Sequence, residues 1–277
     1  MPSAPPVPLP HNGVMESAPG LVKVFASATT RSCCRLGTGL LDLLYPPTCL
    51  VCHAPVAAAN ALCPHCFAAL RPISAPYCPR LGIPFAASLG PDALSAEAMA
   101  DPPPFERARA ALVYNETARA IVSRLKYGDH PELARFCARL MAPAGRDLWG
   151  ERPVLVPVPL HPLRQWHRRY NQSTELAVAL ARETGLAVDS GLVSRKRRTT
   201  QQVGLSADQR RRNVSGAFLA HPKSLERLRG RPVVLVDDVL TTGSTVRAVT
   251  QALKRAGVHQ IDVMTFARVV IGMDMPI

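Results

Sequence analysis

Short apolar runs alternate with less apolar stretches over the C-terminal part of the chain. Strand-like runs rich in Val, Ile and Leu occupy residues 109–114, 154–158, 233–236 and 261–267. The stretches between these runs predict helices over residues 116–126, 131–140, 172–183 and 244–255. Apolar strands that alternate with helices are typical of a parallel sheet covered on both faces. The pattern therefore predicts an α/β domain over residues 105–272.

The N-terminal part of the chain has a different pattern. Residues 1–18 are rich in proline, which is typical of a disordered tail, and either Met1 or Met15 could be the start. Residues 19–47 predict a helix that ends at a Pro-Pro pair. Residues 48–81 hold most of the cysteines, and the Ala-, Gly- and Pro-rich residues 82–104 predict a linker. We find no internal repeat in the sequence.

Composition narrows the class of protein. Hydrophobic residues make up 47% of the 277 residues, so the chain can bury a sizeable core. No run of 18 apolar residues lacks a charge or a proline, and no secretory signal is recognisable, so we expect no membrane insertion and a cytoplasmic location. Aromatic residues are 5%, which argues against a surface built to stack nucleic-acid bases.

Positive charge is concentrated in the second half of the chain. The net charge is +13, and residues 151–277 hold 20 of the 33 Lys and Arg but 10 of the 20 Asp and Glu. Residues 195–212 hold seven basic residues and one acid. Such a cluster indicates phosphate ligands, on a small molecule or on a nucleic acid, although a solvated loop has the same composition.

Four cysteines have the spacing of a metal site. Two Cys-x-x-Cys turns, separated by ten residues, offer four thiolates to one ion, which suits a single structural Zn²⁺; the ligands are Cys49, Cys52, Cys63 and Cys66. A redox pair is the weaker alternative, and His53 and His65 are not needed as ligands. Cys78 has no partner cysteine three residues later, which leaves its part in metal binding open. The remaining cysteines, at 33, 34 and 137, are expected to be packed thiols.

Two adjacent acids close the run 233–236, and a hydroxyl-rich loop follows them. Asp237 and Asp238 would lie at the carboxyl end of a buried strand, where carboxylates accept hydrogen bonds from a sugar diol or hold a hydrated Mg²⁺. Thr241, Thr242, Gly243, Ser244 and Thr245 lead into a helix, and a helix N-terminus attracts phosphate. This loop is therefore predicted to bind a sugar and its phosphate together.

Two other interpretations of the acidic pair carry less weight. Phospho-acceptor receiver domains also place two acids after a strand, usually the first one, whereas here the pair lies late in the chain. A plain strand-to-helix turn needs neither two aspartates nor four hydroxyls. We therefore keep the sugar-phosphate interpretation for the site.

Two basic segments are candidates for binding a pyrophosphate or for forming a lid. The first follows the strand predicted at 154–158, and the second is the long charged segment from residue 195 onward. Their candidate residues are His161, Arg164, Arg168, Arg169, Arg195, Lys196, Arg198, Gln202 and Arg210.

Several motifs together resemble a known family. The segment VVLVDDVLTTGST, residues 233–245, is similar to the motif by which type I phosphoribosyltransferases bind 5-phosphoribosyl 1-pyrophosphate (PRPP). With the four-cysteine pattern, PVPLHPLR from residue 157 and TTQQVGL from residue 199, it resembles the ComF family, a zinc ribbon fused to a phosphoribosyltransferase-like domain. The resemblance implies that Asp237 and Asp238 contact ribose hydroxyls and that residues 241–245 hold the 5′-phosphate of PRPP, bound with Mg²⁺.

The same resemblance implies a role in natural transformation, the uptake or handling of single-stranded DNA. A catalytically active phosphoribosyltransferase with an unidentified base or amine acceptor is one alternative. A non-enzymatic zinc-ribbon adaptor for a DNA translocase or helicase is another. The expected partners are therefore PRPP, single-stranded DNA and a translocase or helicase.

Overall fold

The computed structural model describes residues 46–90, 92–127, 131–160, 171–196 and 216–270. The tail predicted over residues 1–18 and nearly all of the helix predicted over 19–47 lie outside these residues. From Pro47 onward, the described residues belong to one compact unit. Within the described part of the chain, no helix combines the length and the apolar character needed to cross a membrane.

Five parallel strands form the central sheet; the sequence predicts the parallel arrangement and four of these strands. Their order across the sheet is β1-β7-β6-β2-β3. The strands are β1 (Ala108–Val113), β2 (Val154–Pro157), β3 (Ala187–Val188), β6 (Val233–Leu240) and β7 (Ile261–Arg268). A separate antiparallel pair consists of β4 (Val193–Arg195) and β5 (Phe218–Ala220).

Helices cover both faces of the sheet because its inner strands are apolar on both sides. Val234 and Val236 of β6 face a core shared with three helices, whereas Val233 and Leu235 face the core shared with a fourth. The first three are α3 (Glu116–Tyr127), α4 (Pro131–Ala144) and α5 (Gln172–Thr184), and the fourth is α7 (Ser244–Arg255). The short helices are α1 (Pro64–Ala68), α2 (Ala96–Ala100), α6 (Pro222–Leu228) and a 3₁₀ turn, Arg146–Leu148.

The strand order fixes where a ligand can bind. The crossover after β2 leads through α5 to β3 on one side, and the crossover after β6 leads through α7 to β7 on the other. The carboxyl ends of β2 and β6 are therefore a topological switch point, where open α/β sheets form their ligand crevice. The acidic pair and the hydroxyl-rich loop of the sequence lie at this crevice.

The N-terminal part contains an internal repeat, so the absence of a repeat inferred from the sequence is wrong. In the first copy, the backbone N–H of Cys49 donates to the carbonyl of Ala54 (2.7 Å). The N–H of Cys78, 29 residues later, donates in the same way to Ile83 (2.8 Å). Isolated β-bridges Thr48–Pro55 and Tyr77–Pro84 flank these turns at the same 29-residue offset.

Each copy continues into a short helix. The N–H of Cys63, just before α1, donates to the Cys49 sulfur (3.2 Å), and the N–H of Ser95, just before α2, donates to the Cys78 sulfur (3.4 Å). We call residues 47–71 the first ribbon and residues 76–101 the second ribbon. Part of the segment predicted as a linker thus forms this helix and the loop before it. Ile83 and Ala98 anchor it in the core, whereas Leu89, Leu94 and Met99 remain exposed.

Candidate sugar-phosphate site and metal centre

The acidic pair lies at the carboxyl end of β6. Asp238 is 6% exposed, and Asp237 is partly exposed. The N-terminus of α5 holds both side chains: the Ser173 hydroxyl donates to Asp237 Oδ1 (2.9 Å), and Gln172 Nε2 donates to Asp238 Oδ2 (3.3 Å). The strand and the helix therefore fix both carboxylates at the crevice.

Lys126 supplies the positive charge beside this pair. It belongs to the last turn of α3, and its Nζ lies 3.0 Å from Asp238 Oδ2. Burial lowers the Lys126 pKa, but the nearby Asp238 and Asp237 carboxylates outweigh it and raise the pKa above its ordinary value. Lys126 is therefore charged and neutralises one of the two acids.

Asp237, the other acid of the pair, has a higher pKa than an ordinary aspartate. Desolvation and the charge of Asp238 raise the pKa of Asp237 to about 7. Hydrogen bonds from the Asp238 N–H and the Ser173 hydroxyl, and the charge of Lys126, oppose this shift. Near neutral pH Asp237 is thus only partly ionised, and a ligand that donates hydrogen bonds would favour its ionised form.

An acceptor in the same crevice, Gln172 Oε1, has no partner among the residues that the structure describes. Gln172 is 4% exposed, and its buried Oε1 accepts no hydrogen bond from any described residue. Asn171, the N-cap of α5, accepts from Ser173 N–H (3.1 Å) and donates from Nδ2 to the Val158 carbonyl (3.2 Å). Asn171 thereby ties the segment after β2 to the helix that holds the acids.

The hydroxyl-rich loop lies directly after β6 and opens α7. Gly243 is the N-cap residue of α7, with φ of 72°, a left-handed conformation that favours glycine. It provides no side chain to cap the first N–H groups of the helix. The Thr242 and Ser244 hydroxyls lie 2.7 Å apart, and Thr241 and Thr242 are exposed. N–H groups and hydroxyls at a helix start form a phosphate-binding arrangement.

Of the pyrophosphate or lid candidates, the described residues include two. Arg195 ends β4 and is 7% exposed, and its guanidinium lies over the Phe218 ring, 5.3 Å from the ring centre. Lys196 follows it and is exposed, and its N–H donates to the Ala217 carbonyl (2.8 Å). The other candidates lie outside the described residues: His161, Arg164, Arg168, Arg169, Arg198, Gln202 and Arg210.

Three residues of the site were not among the sequence candidates: Lys126, Gln172 and Ser173. The signal for Gln172 and Ser173 was their place at the start of a predicted helix after a basic segment. Lys126 gave no signal of its own, because the acid that it contacts lies 112 residues later in the chain.

The four cysteines of the first ribbon form a metal centre. Their sulfurs all lie within 4.8 Å of one another, and the Cys52 and Cys63 sulfurs are 3.5 Å apart. A tetrahedron of sulfurs at about 2.3 Å from Zn²⁺ has edges of about 3.8 Å. The donor set and its spacing therefore fit one structural Zn²⁺.

The protonation of these thiols supports a cation at the centre. Burial opposes ionisation of Cys49, but N–H groups of Cys52, Cys63 and Val51 outweigh it and lower the Cys49 pKa to about 6. Burial and the neighbouring thiols raise the pKa of Cys66. Because burial disfavours the charged form of Cys66, its thiolate forms readily only when a metal charge compensates, as in zinc ribbons.

Fold and site together define the class: a phosphoribosyltransferase-type α/β domain joined to paired zinc ribbons. A model described as "Double zinc ribbon domain" matches residues 40–98, and one described as "Phosphoribosyl transferase domain" matches residues 123–273. The chain belongs to the ComF family.

The match to several relatives extends over nearly the whole length of each relative. The "DNA utilization protein YhgH" of Salmonella typhimurium is 35% identical over 233 residues, which are 82% of this chain and 99% of the relative. The protein of that name from Escherichia coli K12 is 34% identical over the same shares. "Competence protein F" of Haemophilus influenzae is 33% identical over 79% of this chain and 96% of its own.

Proposed function

We propose that the crevice at the ends of β2 and β6 binds PRPP. The observation that carries this proposal is the combination of three features in one crevice: the acidic pair, a Gln172 acceptor without a partner among the described residues, and the hydroxyl-rich residues 241–245, which we call the phosphate-binding loop. Ribose offers hydroxyl donors to the acids, and its 5′-phosphate offers oxygens to the loop. A sugar phosphate therefore satisfies both halves of the site at once.

Each half of the site has a defined task in this proposal. Asp237 and Asp238 accept hydrogen bonds from the ribose hydroxyls, and residues 241–245 donate to the 5′-phosphate. Lys126 balances the acidic pair until those hydroxyls arrive, and its ammonium is then free to contact the anionic ligand. Mg²⁺ would arrive with PRPP and neutralise part of the pyrophosphate charge. The basic segments at 161–169 and 195–212 supply further cations.

Calorimetric titration with PRPP and Mg²⁺ tests the site. Wild type should bind, whereas the double variant Asp237→Asn/Asp238→Asn should bind about 100-fold more weakly, since two charged hydrogen bonds are lost. The exposed acid Asp92 provides the matched control, and Asp92→Asn should bind like wild type. Absence of binding by zinc-loaded wild type would refute the proposal.

We further propose that the protein acts in natural transformation and handles single-stranded DNA, in the cytoplasm. The names "DNA utilization protein" and "Competence protein F" of the relatives support the process. The positive charge of residues 151–277 supports contact with DNA phosphates.

Salt dependence tests the DNA contact. Fluorescence anisotropy with a labelled single strand should show affinity that falls steeply with salt. Replacing Arg210, Arg211 and Arg212 by alanine should make the slope of log affinity against log salt concentration shallower by about 2. Each lost phosphate contact accounts for about 0.7 of this change. Binding that is absent or insensitive to salt contradicts this part of the proposal.

A separate observation supports a second version of this proposal, in which the protein is an active phosphoribosyltransferase. "Adenine phosphoribosyltransferase" of Mycobacterium marinum is 34% identical over 82 residues, 30% of this chain and 42% of the relative. In this form, an acceptor nitrogen forms a bond to C1 of the ribose as the bond to pyrophosphate breaks. Release of pyrophosphate from PRPP, measured with a panel of bases, amines and DNA, decides between binding and turnover.

A further inference from the structure

We propose that the second ribbon is a metal-free brace that positions the phosphate-binding loop, and that Arg268 and Arg247 are the positioning residues through which it acts. The brace is a property of the folded chain. Its consequence for PRPP rests on the function proposed above.

The second ribbon retains the turns of a zinc ribbon without its ligands. Cys78 stands where Cys49 stands in the first ribbon. The other three ligand positions, at the 29- and 32-residue offsets, hold different residues: Leu81, Ser95 and Ala98. Backbone N–H groups of Leu81 and Ser95 donate to the Cys78 sulfur, each at 3.4 Å. The turn is therefore held by hydrogen bonds that converge on one sulfur.

Apolar packing replaces the metal in this copy. Cys78 is 0% and Ala98 is 2% exposed, and both belong to the core that includes Val246 and Val249 of α7. In the first ribbon, the buried cysteines form a small cluster of their own. The second ribbon is thus folded onto the α/β domain, next to the helix that the phosphate-binding loop opens.

Arg268 joins the second ribbon to the end of β6. It is the last residue of β7 and pairs with Leu240, the residue directly before the phosphate-binding loop. Its guanidinium donates to the Leu81 carbonyl, and its Nη2 lies 4.0 Å from a Glu97 oxygen in α2. Arg268 is 3% exposed, and the partners of this buried guanidinium among the described residues lie in the second ribbon.

Arg247 makes the second connection, from the first turn of α7. Its Nη2 donates to the Asp101 carbonyl (2.7 Å), and its Nη1 donates to the Pro102 carbonyl (3.2 Å) and lies 3.3 Å from Asp101 Oδ1. Asp101 is the C-cap of α2. The strand before the phosphate-binding loop and the helix after it are therefore both anchored to the second ribbon.

Zinc counting tests the metal-free assignment. Native mass spectrometry should find one Zn²⁺ in wild type and two in the triple variant Leu81→Cys/Ser95→Cys/Ala98→Cys, because the second ribbon already has the required backbone. The single variant Leu81→Cys, which offers two thiols, should retain one Zn²⁺. Two ions in wild type, or one ion in a folded triple variant, would overturn the assignment.

Hydrogen exchange of the ligand-free protein tests the brace. In Arg268→Met, amides of residues 240–247 should exchange about tenfold faster than in wild type, since the loop loses an anchor. Arg107→Met is the matched control, because Arg107 pairs with Asp262 (2.7 Å) near the opposite end of β7. Equal exchange at residues 240–247 in the two variants would refute the brace.

If Arg268→Met does not fold, the milder variant Arg247→Ala can be used in the same hydrogen-exchange measurement. It should show faster exchange at the same residues and about fivefold weaker PRPP binding, while still holding one Zn²⁺. Unchanged exchange in Arg247→Ala also counts against the brace. Failure of wild type to bind PRPP would refute the proposed function alone, because the exchange and zinc measurements need no ligand.

Discussion

Removing the charge of Asp237 is expected to stabilise the protein while it weakens PRPP binding. Asparagine has the same shape, and its Oδ1 can still accept from the Ser173 hydroxyl and the Asp238 N–H, as the carboxylate does (2.9 Å each). The substitution therefore changes little except the charge. Functional sites commonly contain residues that lower the stability of the folded protein.

The size of the effect follows from the raised pKa. The Asp237 pKa moves from 3.8 to about 7, and each pKa unit corresponds to about 1.4 kcal/mol. Ionised Asp237 therefore costs the folded state up to about 4 kcal/mol above neutral pH. This shift already includes the opposing attraction to Lys126. Because Asp237 is partly exposed and water screens its charge, we expect Asp237→Asn to gain about 1–3 kcal/mol.

The size of this gain in stability depends on pH. Below about pH 4 the carboxyl is protonated in both folded and unfolded states, so no cost arises; the cost grows up to about pH 7 and is constant above it. Urea unfolding of wild type and Asp237→Asn at about pH 5 and about pH 8 should show an advantage that is larger at the higher pH.

The matched control is Asp262→Asn. Asp262 is buried but pairs with Arg107, so the same chemical change there should destabilise the protein. An Asp237→Asn variant that is less stable than wild type at about pH 8, or whose advantage does not grow with pH, would show that Asp237 is not a strained acid.

Three further predictions concern the cation, the metal and a glycine. Lys126→Met should lower the free energy of unfolding by about 1–3 kcal/mol because Asp238 loses its cation, whereas Lys126→Arg should lose less; equal stability in urea for Lys126→Met and wild type contradicts this. A zinc chelator should raise hydrogen exchange in residues 47–71 and leave β6 and β7 protected, since metal supplies the folding energy of the first ribbon; uniform loss of protection argues otherwise. Gly82→Ala should lower stability by about 1–3 kcal/mol, because its Cβ would lie 2.5 Å from the Ala108 oxygen at φ of 65°, whereas Gly150→Ala, which has open space, should not; thermal unfolding compares them.

The sequence predicted the parts of the fold that carry a strong local signal. The apolar runs gave β1, β2, β6 and β7 to within a few residues, and β6 and β7 extend further because their pairing continues past the acids. β3, β4, β5 and α6 were not predicted. Strands of two or three residues contain too few positions to show a period, and their neighbours in the sheet define them.

The part of the site that is continuous in the sequence could be predicted. The contacts between segments that are far apart in the sequence could not. Residues 237–245 form one continuous loop, so its hydroxyls and acids could be read together. Lys126 enters from α3, and nothing near it in the chain indicates its acidic partner. The family resemblance implied a second cysteine quartet reduced to Cys78, but the sequence did not show that the turns of a second ribbon survive. Leu81, Ser95 and Ala98 no longer have the cysteine spacing that marks a ribbon.

The two ribbons differ in how they are embedded, and this difference implies an order of evolutionary events. After a duplication, the copy that packed onto the large domain could lose its cysteines one at a time, since each intermediate kept its shape through core contacts. In the first ribbon, Leu50 and Leu70 reach the core of the α/β domain, but the three buried cysteines form a cluster of their own, so each of them depends on the shared metal. Across the lineage, we therefore expect repeated, independent loss of cysteines from the second ribbon and persistence of all four in the first.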